Sequence, residues 1–177
     1  TREASSLLSA ALEGNGDTLY KFSFEKERKY LKLTPAKLDA LWRRLVIPRF
    51  NRLAKRGPVS AMALNDPPSQ GVAYVDLSDG VGRRYQLSTA VWATDEGPRY
   101  TVLNYLLAAW NIEYLVARDR PITRETIRLA RAEGLRRDLP ALREIGIAGY
   151  VPMEPDSSPI PWEEYQQRLV RATGSQG

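Results

Sequence analysis

The chain has 177 residues, of which 43% are hydrophobic and 27% charged, with a net charge of +5 and a sequence pI near 9.6. This is ordinary globular composition, long enough to bury one core, and it excludes intrinsic disorder. The chain has no cysteine and no histidine, which removes disulfides, thiolate nucleophiles, cysteine- or histidine-based metal sites and the usual imidazole base.

No apolar run reaches membrane-spanning length, and the segment Thr1 to Gly16 is too polar for a secretory signal. A soluble, intracellular (cytoplasmic) protein is expected, with no membrane partner. Catalysis would have to rest on carboxylates, lysine, tyrosine or serine. No phosphate loop, dinucleotide fingerprint or serine elbow is present, so no enzyme activity and no cofactor are expected.

Taken in chain order, Ser5–Leu12 suggests a short helix stopped by Gly14-Asn15-Gly16. The alternation of Tyr20, Phe22 and Phe24, then Leu31 and Leu33, predicts two strands around a charged turn at Glu25–Arg28. Thr34-Pro35 carries helix-capping chemistry. The helix that follows puts Leu38, Leu41, Trp42, Leu45 and Val46 on one face. Pro48 should kink or end it before the pattern resumes to Arg56.

The run Val59–Leu64 reads as a short strand. Two β-rich runs then flank Asp79-Gly80, the clearest hairpin signal in the chain, and Asp95 to Pro98 should end the sheet. Val102–Arg118 is apolar almost all round and predicts a central buried helix. Thr123–Gly146 reads as two short helices joined at Gly134, followed by a proline-rich linker and a helix from Trp162 to Arg171. The expected fold is α+β: a small, mostly antiparallel sheet with helices on one side and a C-terminal helical arm. Residues 1–150 would form the domain, and 151–177 the linker and arm.

Positive charge is concentrated in two segments, Pro35–Arg56 at net +6 and Arg118–Arg143 at net +4. The tail from Tyr150 is net −2. Arginine dominates both basic segments, and its planar fork suits phosphate and base edges. Thr123–Gly146 is similar to a helix-turn-helix, with Arg136, Arg137 and Arg143 outward, although Pro140 would leave a second helix barely two turns long. An ordinary helical hairpin with a solvated basic face reads the same residues equally well.

Non-enzymatic nucleic-acid binding, to DNA or RNA, is the leading expectation. Arg43, Arg44, Arg52, Lys55, Arg136, Arg137 and Arg143 are the candidate phosphate or base contacts. Tyr85 and Trp92, with Arg83 and Arg84 nearby, are weaker candidates for base stacking on the hairpin. Asp66, Asp76, Asp79, Asp95 and Glu96 cluster around that hairpin, where a metal-dependent nuclease would hold its ion. Asp79 is better explained by the turn, however, and no metal is expected.

The runner-up function is a self-assembling structural subunit, of nucleocapsid or mobile-element type. Trp162, Tyr165 and Leu169 form one stripe on the tail helix. They would either dock on a neighbouring copy, giving a homo-oligomer, or close the chain's own core.

Overall fold

The computed structural model describes residues 14–54, 60–63, 70–78, 84–118, 120–121, 123–152 and 158–174, with side chains of 52–93, 98, 116 and 172–174 not among those described. The helix expected at Ser5–Leu12 lies outside these residues.

The fold is α+β with a C-terminal helix. Two short helices open it, α1 (Gly16–Phe22) and α2 (Glu25–Leu31), where two strands were expected. The alternating aromatics misled, because the buried residues Leu19 and Phe22 recur at a spacing of three. Local chemistry also favours helix. Asn15 Oδ1 accepts from the Thr18 amide at 3.2 Å. In α2, Glu25 opens the helix and Arg28 and Lys29 close it, the charge order that the helix dipole prefers. Lys32, at φ 50°, ends the second helix.

Thr34 caps α3 (Pro35–Leu41) through the Lys37 amide, with Pro35 in its first turn. The helix does not stop at Pro48. A π-helical turn, Trp42–Val46, leads into α4 (Ile47–Ala54), and the Ile47 amide reaches back five residues to the Trp42 carbonyl. Proline lacks an amide and crowds the carbonyl four residues before it, and the wider turn accommodates that defect.

The sheet is antiparallel in the order β1-β2-β3-β4, formed by β1 (Ser60–Ala63), β2 (Gln70–Ser78), β3 (Arg84–Thr94) and β4 (Gly97–Tyr100). Ser78 pairs with Arg84 and Gln70 with Trp92, so the two β-rich runs flanking Asp79-Gly80 form a hairpin, with five residues, 79–83, between the paired strands. Asp95 and Glu96 do not end the sheet. They form a turn, and Gly97, at φ 105°, returns the chain along β3. A left-handed residue there favours glycine.

Helix α5 (Asn104–Arg118) is the expected central helix and packs on β3. Helix α6 (Arg124–Ile145) is one continuous helix of 22 residues, so the predicted joint at Gly134 is not there. Gly134 is buried, and a Cβ on it would fall 2.2 Å from Trp110 Cγ. The glycine serves close helix approach rather than a turn. A Thr123–Thr126 capping box starts α6, and Gly146 at φ 90° ends it. Pro140 sits exposed within it. An interior proline costs about 3 kcal/mol, opposed here by the buried stripe Ala130, Leu135 and Leu142.

The pair β5 (Gly149–Tyr150) and β6 (Ile160–Pro161) delivers α7 (Trp162–Gly174) against α6. Trp42, Trp110 and Trp162 are all fully buried in one core. Among the described residues, no helix is long and apolar enough to cross a membrane.

Candidate functional site

The two arginine-rich segments, remote in sequence, pack side by side and antiparallel. Lys37 Nζ donates to the Gly146 carbonyl at 3.0 Å, Arg44 meets Glu144 at 2.7 Å, and Arg49 meets Asp138 deeper in. Arg43, Arg44, Arg136, Arg137 and Arg143 are all exposed. The side chain of Arg52, and all of Lys55, lie outside the described residues, as do the side chains of Tyr85, Trp92, Asp66, Asp76 and Asp79. Asp95 and Glu96 are exposed at the β3–β4 turn.

Most of the exposed arginines are not bare, which net charge along the sequence could not reveal. Arg43 pairs with Asp39 at 2.9 Å and Arg137 lies 3.6 Å from Glu113. Arg143 pairs with Glu163 on the acidic tail, and the arginine holds that carboxyl below the ordinary range. Arg136 makes no ion pair among the described residues. Solvent-exposed pairs of this kind contribute about 0–1 kcal/mol each.

Beneath this surface lies a cluster that was not anticipated. Arg49 Nη1 and Nη2 donate to the two Asp138 oxygens at 2.7 and 2.9 Å, its Nε donates to Glu113, and Trp110 Nε1 donates to Asp138 at 2.6 Å. Burial works against the Arg49 charge, but the two carboxylates outweigh it and raise the pKa further above its ordinary value. A sequence signal existed: Arg49 falls on the apolar stripe that includes Leu45 and Val46, and Asp138 lies four residues from both Gly134 and Leu142. Opposite charges on two buried stripes are candidates to meet.

Beside the cluster, a cavity of about 320 Å³ opens between α5 and α6. Trp110, Ile112, Tyr114, Ala117 and Ala130 supply its apolar lining, and Arg49, Arg118 and Arg137 its cations. The Arg118 guanidinium lies 4.1 Å from the Tyr114 ring centroid and pairs with Glu133 at 2.9 Å. Tyr114, Arg118 and Glu133 also line an adjoining cleft that carries Arg136.

A second unanticipated group is Glu27, buried completely where a charged turn was expected. Its oxygens accept from the Val102 and Leu103 amides at 2.8 and 3.3 Å, just ahead of α5. Burial pushes its carboxyl up to about 8, against the pull of those two amides.

On the tail, Trp162 is 1% exposed and Tyr165 7%, and both belong to this chain's own core. Trp162 Nε1 donates to the Ile147 carbonyl at 2.8 Å, and Leu169 packs partly buried on the same core. Of the two alternatives for the tail, closure of its own core describes this arrangement.

Compared with protein families, curated proteins and solved structures, the chain matches none.

Proposed function

We propose that this chain binds nucleic acid without catalysing a reaction on it, holding phosphates with Arg43, Arg44, Arg136, Arg137 and Arg143. The observation that carries this reading is the lateral packing of the two basic segments, which leaves all five side chains exposed on adjoining helices. Their carboxylate partners do not defeat it. An exposed ion pair is weak, and a phosphate offers each guanidinium a bidentate, charge-assisted replacement. Exchange with those carboxylates should keep the affinity modest and strongly dependent on salt.

The test is a salt-titrated binding measurement with duplex DNA, single-stranded DNA and RNA. Log affinity should fall linearly with log salt, with a slope of about −0.9 per phosphate contact on duplex. Arg136→Ala with Arg137→Ala, and Arg43→Ala with Arg44→Ala, should each weaken binding and flatten that slope. No binding at roughly 50 mM salt, or unchanged affinity in both double variants, would overturn the reading.

A further inference from the structure

We infer that the cavity between α5 and α6 receives one unpaired nucleobase, which makes single-stranded nucleic acid the preferred partner. The inference rests on the nucleic-acid reading above and adds a site that reading does not use. Three observations carry it, each with a chemical counterpart in a nucleotide.

The first is shape. The cavity, at about 320 Å³, lies within the range of small-molecule sites, large enough for a flat heterocycle. Its wall on α6 includes Ala130 and Gly134, the latter covered directly by the Trp110 ring. The indole of Trp110 closes the floor, and Ala117 stands exposed at the mouth.

The second is the wall. Arg118 already lies over the Tyr114 ring at 4.1 Å. A planar guanidinium on an aromatic ring offers a π-rich platform, and every base has a π face to place against it. Glu113 and Glu133 supply carboxylate oxygens to the same cavity. Both already pair with arginine, Glu113 with Arg49 and Arg137 and Glu133 with Arg118, so a base N–H would share these oxygens through the edge that duplex pairing occupies.

The third is the rim. Arg118 and Arg137 have side chains 42% and 49% exposed, and Arg136 borders the adjoining cleft. Cations beside an apolar slot match the alternation of phosphate and base along a single strand. The continuity of α6 points the same way, because it removes the short, separately oriented second helix that a helix-turn-helix would use to enter a duplex groove.

The experiment uses the full chain and three probes of equal phosphate number: an oligoadenylate strand, an abasic strand and a duplex. The oligoadenylate should bind about tenfold more tightly than the abasic strand, the size expected for stacking one base, and should perturb tryptophan fluorescence on saturation. Ala117→Leu, at an exposed position, fills the mouth with an aliphatic chain that cannot stack a base, and should abolish that preference while leaving abasic-strand binding unchanged. Tyr114→Leu should act in the same direction, and circular dichroism checks that both variants are folded.

Equal affinity for the abasic strand and the oligoadenylate, or an undiminished preference in folded Ala117→Leu, would overturn the base site while leaving phosphate binding intact. Failure of all three probes to bind at roughly 50 mM salt would overturn both readings together.

Discussion

Arg49 and Asp138, 89 positions apart, form a buried two-pronged pair that ties α4 to α6. Each is about 7% exposed, and Asp138 also receives the Trp110 indole from α5. One carboxylate therefore joins three helices. Its electrostatics differ in kind from those of the surface arginines, because a buried charge stripped of its partner has no water to turn to.

The first prediction follows directly. Asp138→Asn keeps the shape but leaves Arg49 with less of its compensating charge, and should cost about 3–5 kcal/mol. Arg49→Met with Asp138→Leu removes the pair but takes a partner from Glu113 and from Trp110 Nε1, and should recover part of that loss. Chemical denaturation of the two variants beside the unaltered protein checks it. A loss below roughly 1 kcal/mol in Asp138→Asn would place the pair with the weak surface pairs.

Gly134→Ala sets two effects against each other. Alanine gains about 1 kcal/mol of helix propensity over glycine, but its Cβ would lie within 2.2–2.6 Å of three Trp110 ring atoms. Overpacking of a tight core costs about 1–3 kcal/mol, occasionally more, so the variant should be destabilised and its melting temperature should fall. A rise would show that α5 and α6 can separate cheaply.

Glu27 makes stability depend on pH in an unusual direction. Its folded pKa, about 8, lies above the unfolded value of 4.5, so the folded state binds the extra proton between them. The contribution is full below pH 4.5 and is lost as pH rises towards 8, at about 1.4 kcal/mol per pH unit in that window. The chain has no histidine, so little else titrates there. Glu27→Gln should flatten the dependence. Identical pH profiles of unfolding free energy for the two proteins would refute it.

Trp162→Ala tests whether the tail belongs to the core it closes. Removal of a fully buried indole costs about 3–5 kcal/mol, and the unfolding midpoint should drop by a corresponding amount at every protein concentration. A loss that appears only at high concentration would instead assign Trp162 to contacts between copies.

Much of the secondary structure was legible because its causes are local. Thr34-Pro35 started a helix, the β-rich runs either side of Asp79-Gly80 paired as a hairpin, and the apolar run at Val102–Arg118 formed the central helix, each through groups close in the chain. The errors came where one residue type serves two purposes. Gly134 suits a turn as well as a close helix crossing, and only the position of Trp110, on another helix, decides between them. Tyr20, Phe22 and Phe24 suit a strand, but caps at Asn15 and Lys32 and burial of Leu19 beside Phe22 favoured helices.

For the candidate site, the sequence by itself determined which residues carry charge: arginine concentrated in two segments, and a tail that is net −2. Only the tertiary structure decided what that charge does. It paired Arg143 with Glu163 and Arg44 with Glu144, buried Arg49 against Asp138, and left Arg136 without an ion pair among the described residues. Net charge is additive along a chain, whereas ion pairing depends on distance and burial, and these follow from how α4, α5 and α6 pack. The cavity beside Tyr114 has the same origin. Its lining comes from α4, α5 and α6 together, and no run of neighbouring residues encodes it.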